Sequence, residues 1–168
     1  AAYLGHYAIL KGTGGLNADA IGVMWMGFVV IALAGHFAMV FLFPANKPGA
    51  SSAGNRASAH VWMASGFVLF SFFAGVTIKS ILDGSASPGF NWSIPLVLGV
   101  YGISQLVSGL MARSLGLIVA GWGGIAFVGI TVIMMHTPEL YLAAAAAAAL
   151  IVLLPGIMML REEPSTTV

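Results

Sequence analysis

The chain has 168 residues, of which 60% are hydrophobic and only 7% charged, with a formal net charge of +1. Soluble domains carry about one-quarter charged residues because their surface must face water, so most of this chain's surface must face lipid or other apolar protein. So small a net charge gives no basis for binding nucleic acid, and the absence of cysteine excludes disulfides, thiolate metal sites, iron–sulfur ligation and cysteine nucleophiles.

Residues 1–20 lack the basic-then-apolar pattern of a secretory signal. They are expected to form a short segment lying on the outer side of a membrane. The run Lys11-Gly12-Thr13-Gly14-Gly15 argues against the alternative, a sixth, partial span. A helix rises about 1.5 Å per residue and the hydrocarbon core is about 30 Å thick, so a span needs about 20 apolar residues. The first stretch that qualifies is 21–43, closed by Pro44 and carrying Gly35 and His36. A polar Pro/Gly/Ser-rich loop with Lys47 and Arg56 follows.

The second span is 57–82, ending at Asp83 and Gly84. His60 lies near its inner end, sharing a helical face with Ala64, Ser71 and Gly75. Lys79 can snorkel to the outer interface and pair with Asp83 one turn on. After a second polar loop the third span, 94–112, is the shortest. Its Tyr101, Gln105 and Ser108 follow i, i+4, i+7 spacing on one face near mid-membrane, with Ser104 beside them. Arg113-Ser114 is a tight turn, so the fourth span, 115–136, returns as an antiparallel hairpin. It carries a stripe of small residues, Gly116, Ala120 and Gly124, before Thr137 and Pro138 break it. The fifth span, 140–160, holds an alanine run at 143–149 and a Pro155-Gly156 pair expected to kink it. Arg161, Glu162 and Glu163 lie in water beyond.

The expected fold is an all-α integral membrane protein, residues 1–168 forming one domain, a bundle of about five transmembrane helices with short loops. Basic residues near span ends favour the cytoplasm. Lys47, Arg56, Arg113 and Arg161 fall on one side, while Asp19, Asp83 and Glu139 collect with Lys11 and Lys79 on the other. That places the N-terminus outside and the C-terminus inside, in a bacterial or archaeal cytoplasmic membrane, with Trp92 and Tyr141 at the outer interface.

Within lipid, close helix contact depends on small residues, and 22 glycines offer more such surface than five short helices consume. The excess calls for partners, either other membrane subunits or copies of the chain itself. Ionisable groups inside a bilayer are costly and mark function by default. His36 and His60 both fall in the inner leaflet on consecutive spans. They suit axial ligation of a haem b, or a haem or chlorin pigment ligand with a quinone contact. Their depths differ by about 7 Å along the helix axes, which a shared haem would have to absorb by tilt. The plain alternative is that both only form hydrogen bonds between helices.

Tyr101, Gln105 and Ser108 invite two readings: interhelical hydrogen bonding, or the polar lining of a pore. His136 and Glu139, with His6 and Asp19 on the same side, lack a helical metal-ligand spacing, and no metal site is expected. There is no catalytic triad, phosphate loop, paired carboxylates or metalloprotease motif, so an enzyme acting alone is not expected. The leading expectation is a small subunit of a larger energy-transducing or electron-transfer membrane complex. A homo-oligomeric channel or transporter for a small solute, and a structural subunit without cofactor, are the competitors.

Overall fold

A computed structural model describes residues 2–13, 15, 20–42 and 52–162, with the side chains of residues 36, 39, 40 and 159–162 outside that description. Asp19, Lys47, Glu163 and most of the 44–56 loop, with the side chains of His36 and Arg161, therefore lie outside the described residues. The described elements are all helical, and four of them are long and apolar enough to cross a membrane: Ala53–Asp83, Pro88–Ala112, Leu115–Ile133 and Glu139–Met158. The expected first span corresponds to a helix over Ala20–Leu42.

In chain order the elements begin with α1 (Ala2–Leu10), α2 (Ala20–Leu42) and α3 (Ala53–Asp83). Helix α3 starts four residues before the expected second span, because Ser52 caps it: its Oγ accepts from the Asn55 N–H at 3.2 Å. Arg56 is thus in the first turns of a helix and not in the loop. At the other end Gly84 takes φ 62, a left-handed conformation that suits glycine, and the N–H groups of Gly84 and Ser85 return to the carbonyls of Ile81 and Ser80. Lys79 and Asp83 pair at 2.7 Å on the last turn.

A 3₁₀ turn, Pro88–Trp92, leads into α4 (Ser93–Ala112), and α5 runs Leu115–Ile133. Arg113 makes the hairpin turn between them with φ 54, and the Ser114 N–H bonds back to the Gly109 carbonyl at 2.9 Å. The α4–α5 pair forms the largest interface in the molecule, and glycines make it possible. A Cβ on Gly102 would lie 2.9 Å from the Gly121 carbonyl oxygen, one on Gly109 would lie 2.7 Å from the Ile118 nitrogen, and one on Gly121 would lie 2.6 Å from the Leu106 nitrogen. The two backbones touch, as small-residue packing in membranes requires. Helix α5 stops at Ile133, short of the expected 136, and His136 takes φ 67 in the turn that follows.

The expected fifth span is helical but not continuous: α6 (Glu139–Ala148) passes into a π-helical stretch, Ala149–Leu153, and then α7 (Leu154–Glu162). Leu140, Ala144, Ala147 and Ile151 form its buried face, packed with Ile94, Leu98 and Ala120, while Ala146 and Ala149 are exposed. The alanine run therefore buries one side and not its whole circumference.

Within the N-terminal segment, residues 2–10 are helical. Helix α1 packs along α6 and against α2, with Ala2 and Ile9 buried and Tyr3 against the core cluster. Lys11, just past its C-terminal end, pairs with Glu139, the first residue of α6, at 2.7 Å. Helix α2 has its packed interface with α1, and α3 has its own with α4.

Candidate functional site

Three groups of polar side chains emerge from this packing. The first is the seam between α3 and α4. Ser104, fully buried, donates from Oγ to the Val100 carbonyl at 2.8 Å, so in its 2.7 Å contact with Ser65 Oγ it accepts. Ser108 accepts from the Trp62 indole N–H at 3.0 Å and meets Ser58 Oγ at 2.7 Å. Tyr101 lies edge-on to Trp62 with ring centroids 5.3 Å apart. Tyr101 and Ser108 thus face α3 together.

Gln105 turns elsewhere. Its Nε2 donates to the Ile151 carbonyl at 2.7 Å, and the residue is 5% exposed. The reason lies four residues further on. In an α-helix the carbonyl of residue 151 would accept from the N–H of residue 155, which is Pro155 and has none. The helix widens to π geometry there, with the Leu154 N–H reaching back to Ala149, and the Gln105 amide supplies a donor to the Ile151 carbonyl. Its Oε1 has no hydrogen-bond partner.

The second group is where α1 meets α2 and the start of α6. Trp25 of α2 donates its indole N–H to His6 Nδ1 at 3.0 Å, and the His6 ring stacks on Tyr141 of α6 with centroids 3.6 Å apart. Tyr3 meets Trp25 edge-on at 5.3 Å. His6 is half-buried, and that burial lowers its pKa below the usual histidine value. His136 is exposed in the turn before α6, and among the described residues no three His, Asp or Glu side chains gather as metal ligands would.

The third group is His60. The ring lies on the exposed side of α3, and its Nδ1 is 2.6 Å from the Arg56 carbonyl oxygen. A carbonyl can only accept, so Nδ1 carries a proton, and in the neutral ring Nε2 is then the nitrogen with the lone pair. The small residues of the same face, Ala64, Ser71 and Gly75, are exposed with it, and a Cβ on Gly66 or Gly75 would meet nothing within 4 Å. An open apolar groove between Met63, Phe67 and Phe70, floored by Gly66, begins one turn further along. His36 is placed on α2 by its backbone. Among the described residues the packed interfaces of α2 and α3 are with different helices.

The side chains of α3 that complete the seam, Ser58, Trp62 and Ser65, were not singled out from sequence. Their i, i+4, i+7 spacing was a usable signal, the match on α3 of the polar stripe on α4. His6 gave no such signal, because its partners lie on helices remote in sequence. Comparison with protein-family models, with curated proteins and with solved structures gives no match to this chain.

Proposed function

We propose that the chain is a small multi-pass subunit of a larger energy-transducing membrane complex, in which His60 offers Nε2 as a ligand to a flat metallated cofactor, a haem b or a chlorin pigment. It crosses the cytoplasmic membrane of a bacterium or archaeon five times, N-terminus outside and C-terminus inside, with α2 as the first span. The observation that carries the reading is the state of the His60 ring. A metal-binding histidine almost always donates its other ring N–H to a carbonyl or carboxylate, which fixes the tautomer and raises ligand basicity. The Nδ1–H to Arg56 bond supplies that donation within α3 itself.

The surroundings fit a flat, bulky group. Ala64, Ser71 and Gly75 leave the helix face beside His60 without side-chain bulk, and Met63, Phe67 and Phe70 offer apolar contact on its flank. The contrast with the other small-residue stripe supports the same reading, because Gly124 is consumed against α4 and Ala120 is buried in the core cluster while the face of α3 is left outward. Such a cofactor, when bound, supplies one-electron transfer, tuned by its axial ligand and the dielectric around it. A second ligand to such a group would come from His36 on α2 or from a partner subunit. The seam polar groups Tyr101, Ser108 and Gln105 already meet protein partners, which favours α3's outer face over a path lined by α4.

The test is the visible spectrum and size of the protein purified in mild detergent from a membrane that makes haem and chlorin. A Soret band that is lost in His60→Ala, with the complex still assembled, is the expected result. A colourless symmetric oligomer that conducts a small solute in liposomes sinks the cofactor reading and leaves the channel in its place.

A further inference from the structure

We propose that His6 is a pH-sensitive pin: neutral, it holds α1 onto α2 and α6, and protonation releases it. This device lies where α1 meets α2 and α6 and does not depend on what His60 binds.

The geometry sets the protonation state. The Trp25 indole N–H can only donate, so His6 Nδ1, 3.0 Å away, must carry a lone pair. A neutral ring keeps its one proton on Nε2 and accepts from Trp25. An imidazolium has N–H groups at both positions and sets one of them against the indole N–H. The bond is replaced by a repulsive contact between two donors. On the other face the ring stacks on Tyr141 at 3.6 Å, so a His6 that moves away from Trp25 also disturbs the contact with α6.

Other charged or titratable groups near His6 do not reverse this. Among the described residues α2 offers no Asp, Glu, Lys or Arg; its own histidine, His36, is eleven residues past Trp25, about 16 Å by helical rise. From α6 come Glu139 and Tyr141. The Glu139 carboxylate is neutralised by Lys11 at 2.7 Å. The Tyr141 ring favours a cation on its face, an effect of about 0.5–1 kcal/mol at exposed sites, but it cannot accept the proton that Nδ1 would carry. On α1 itself stand Tyr3 and Tyr7, and Lys11, just past its end, is paired with Glu139, so that neither member of the pair sets a net charge beside the ring. Burial of the ring disfavours the charged form as well. The pinned state therefore binds fewer protons than the released one. Its stability is fully present above the ordinary histidine value of about 6.5 and declines as pH falls below it, towards the lowered value of the pinned ring.

Helix α1 is otherwise held by apolar packing, with Ala2 and Ile9 buried and Tyr3 against the core cluster. It has nine residues, and it meets α2 closely at Gly5, where a Cβ would lie 2.6 Å from Met24 Sδ. Its C-terminal end is tied by an ion pair whose side chains are 41% and 42% exposed, a kind of contact that contributes little. Apolar packing is non-directional, so loss of the His6 pin loosens the position of α1 without detaching the helix.

The chain has no cysteine, so spin labels can be placed on Leu4 of α1 and Leu142 of α6, both exposed, in the full chain in nanodiscs. The distance distribution is then measured at about pH 8 and about pH 5, a range that leaves Glu139 ionised. The native residue is expected to give a narrow distribution at high pH that loses amplitude to a broader one at low pH. His6→Gln, whose side-chain carbonyl still accepts from Trp25 but does not titrate, is expected to stay narrow at both. An unchanged distribution in the native protein, or a His6→Gln variant that broadens as the native protein does, overturns the proposal.

Discussion

If the Gln105 amide supplies the donor that Pro155 removes from its own helix, the two residues must be energetically coupled. Gln105→Leu keeps the volume of the side chain and deletes its polar end. The native contact is a 2.7 Å hydrogen bond from Nε2 to the Ile151 carbonyl, in a residue 5% exposed. Leaving a buried acceptor without its donor costs about 1–3 kcal/mol. Two effects pull the figure down. The substitution also removes Oε1, which is buried without a partner in the native protein, and polar contacts between membrane helices average about 0.6 kcal/mol with a maximum near 1.7. The expected loss for Gln105→Leu is therefore about 1 kcal/mol. Pro155→Ala restores an N–H four residues after Ile151, and in that background Gln105→Leu should cost much less. The measurement is a double-mutant cycle by reversible unfolding in mixed micelles, with an expected coupling of about 1 kcal/mol of rescuing sign. Additivity within about 0.3 kcal/mol would show that the amide and the proline do not serve the same carbonyl, and the account of the π-helical stretch would fall with it.

Two further outcomes follow from backbone geometry. Gly121→Ala places a Cβ 2.6 Å from the Leu106 nitrogen and 2.7 Å from its Cα; because backbone cannot swing aside, the expected cost is about 1–3 kcal/mol. Gly116→Ala, on the same helix, meets only Ser114 Oγ at 3.9 Å and should stabilise by about 0.5–1 kcal/mol through helix propensity. The same unfolding assay reads both, and equal effects would refute the assignment of the α4–α5 contact to the inner glycines. Arg113 holds φ 54, which costs a residue with a Cβ about 1 kcal/mol, so Arg113→Gly should raise the unfolding midpoint. A fall would mean that the Arg113 side chain stabilises the turn by more than the strain costs.

The membrane character and the helix positions were legible in the chain because they depend on local quantities: length of apolar run, position of Pro and Gly, and turn chemistry. Span three and α4 differ by one residue at the start, and the Arg113-Ser114 hairpin is where the tight turn required it. Apart from the π-helical stretch Ala149–Leu153 inside the fifth span, the departures are at ends. Ser52 extends α3 by capping it, and α5 stops at Ile133. A cap or a left-handed residue such as His136 costs or contributes about 1 kcal/mol, too little for an apolar pattern to reveal.

Which polar residues meet was a different matter. Tyr101, Gln105 and Ser108 share a spacing, and from that alone they belong to one face. Packing divides them, since α3 approaches on one side and the π-helical stretch on the other, so Tyr101 meets the Trp62 ring and Ser108 accepts its N–H while Gln105 serves Ile151, 46 residues away. The histidines separate in the same manner. His60 was singled out by its depth in a span, and its tautomer and outward aspect became visible only with the Arg56 carbonyl beside it. His6, unremarkable in sequence, became a pin once α1 lay between Trp25 and Tyr141.

The sequence by itself determined that this protein lives in a bilayer, because a chain with 7% charged residues has no other solvent that satisfies it, and helices are the elements whose backbone bonds close within each segment. The tertiary structure decided which small-residue stripe is spent inside the molecule and which is left facing out. In lipid the apolar faces are nearly equivalent, so the choice among them rests on how closely two particular backbones can approach.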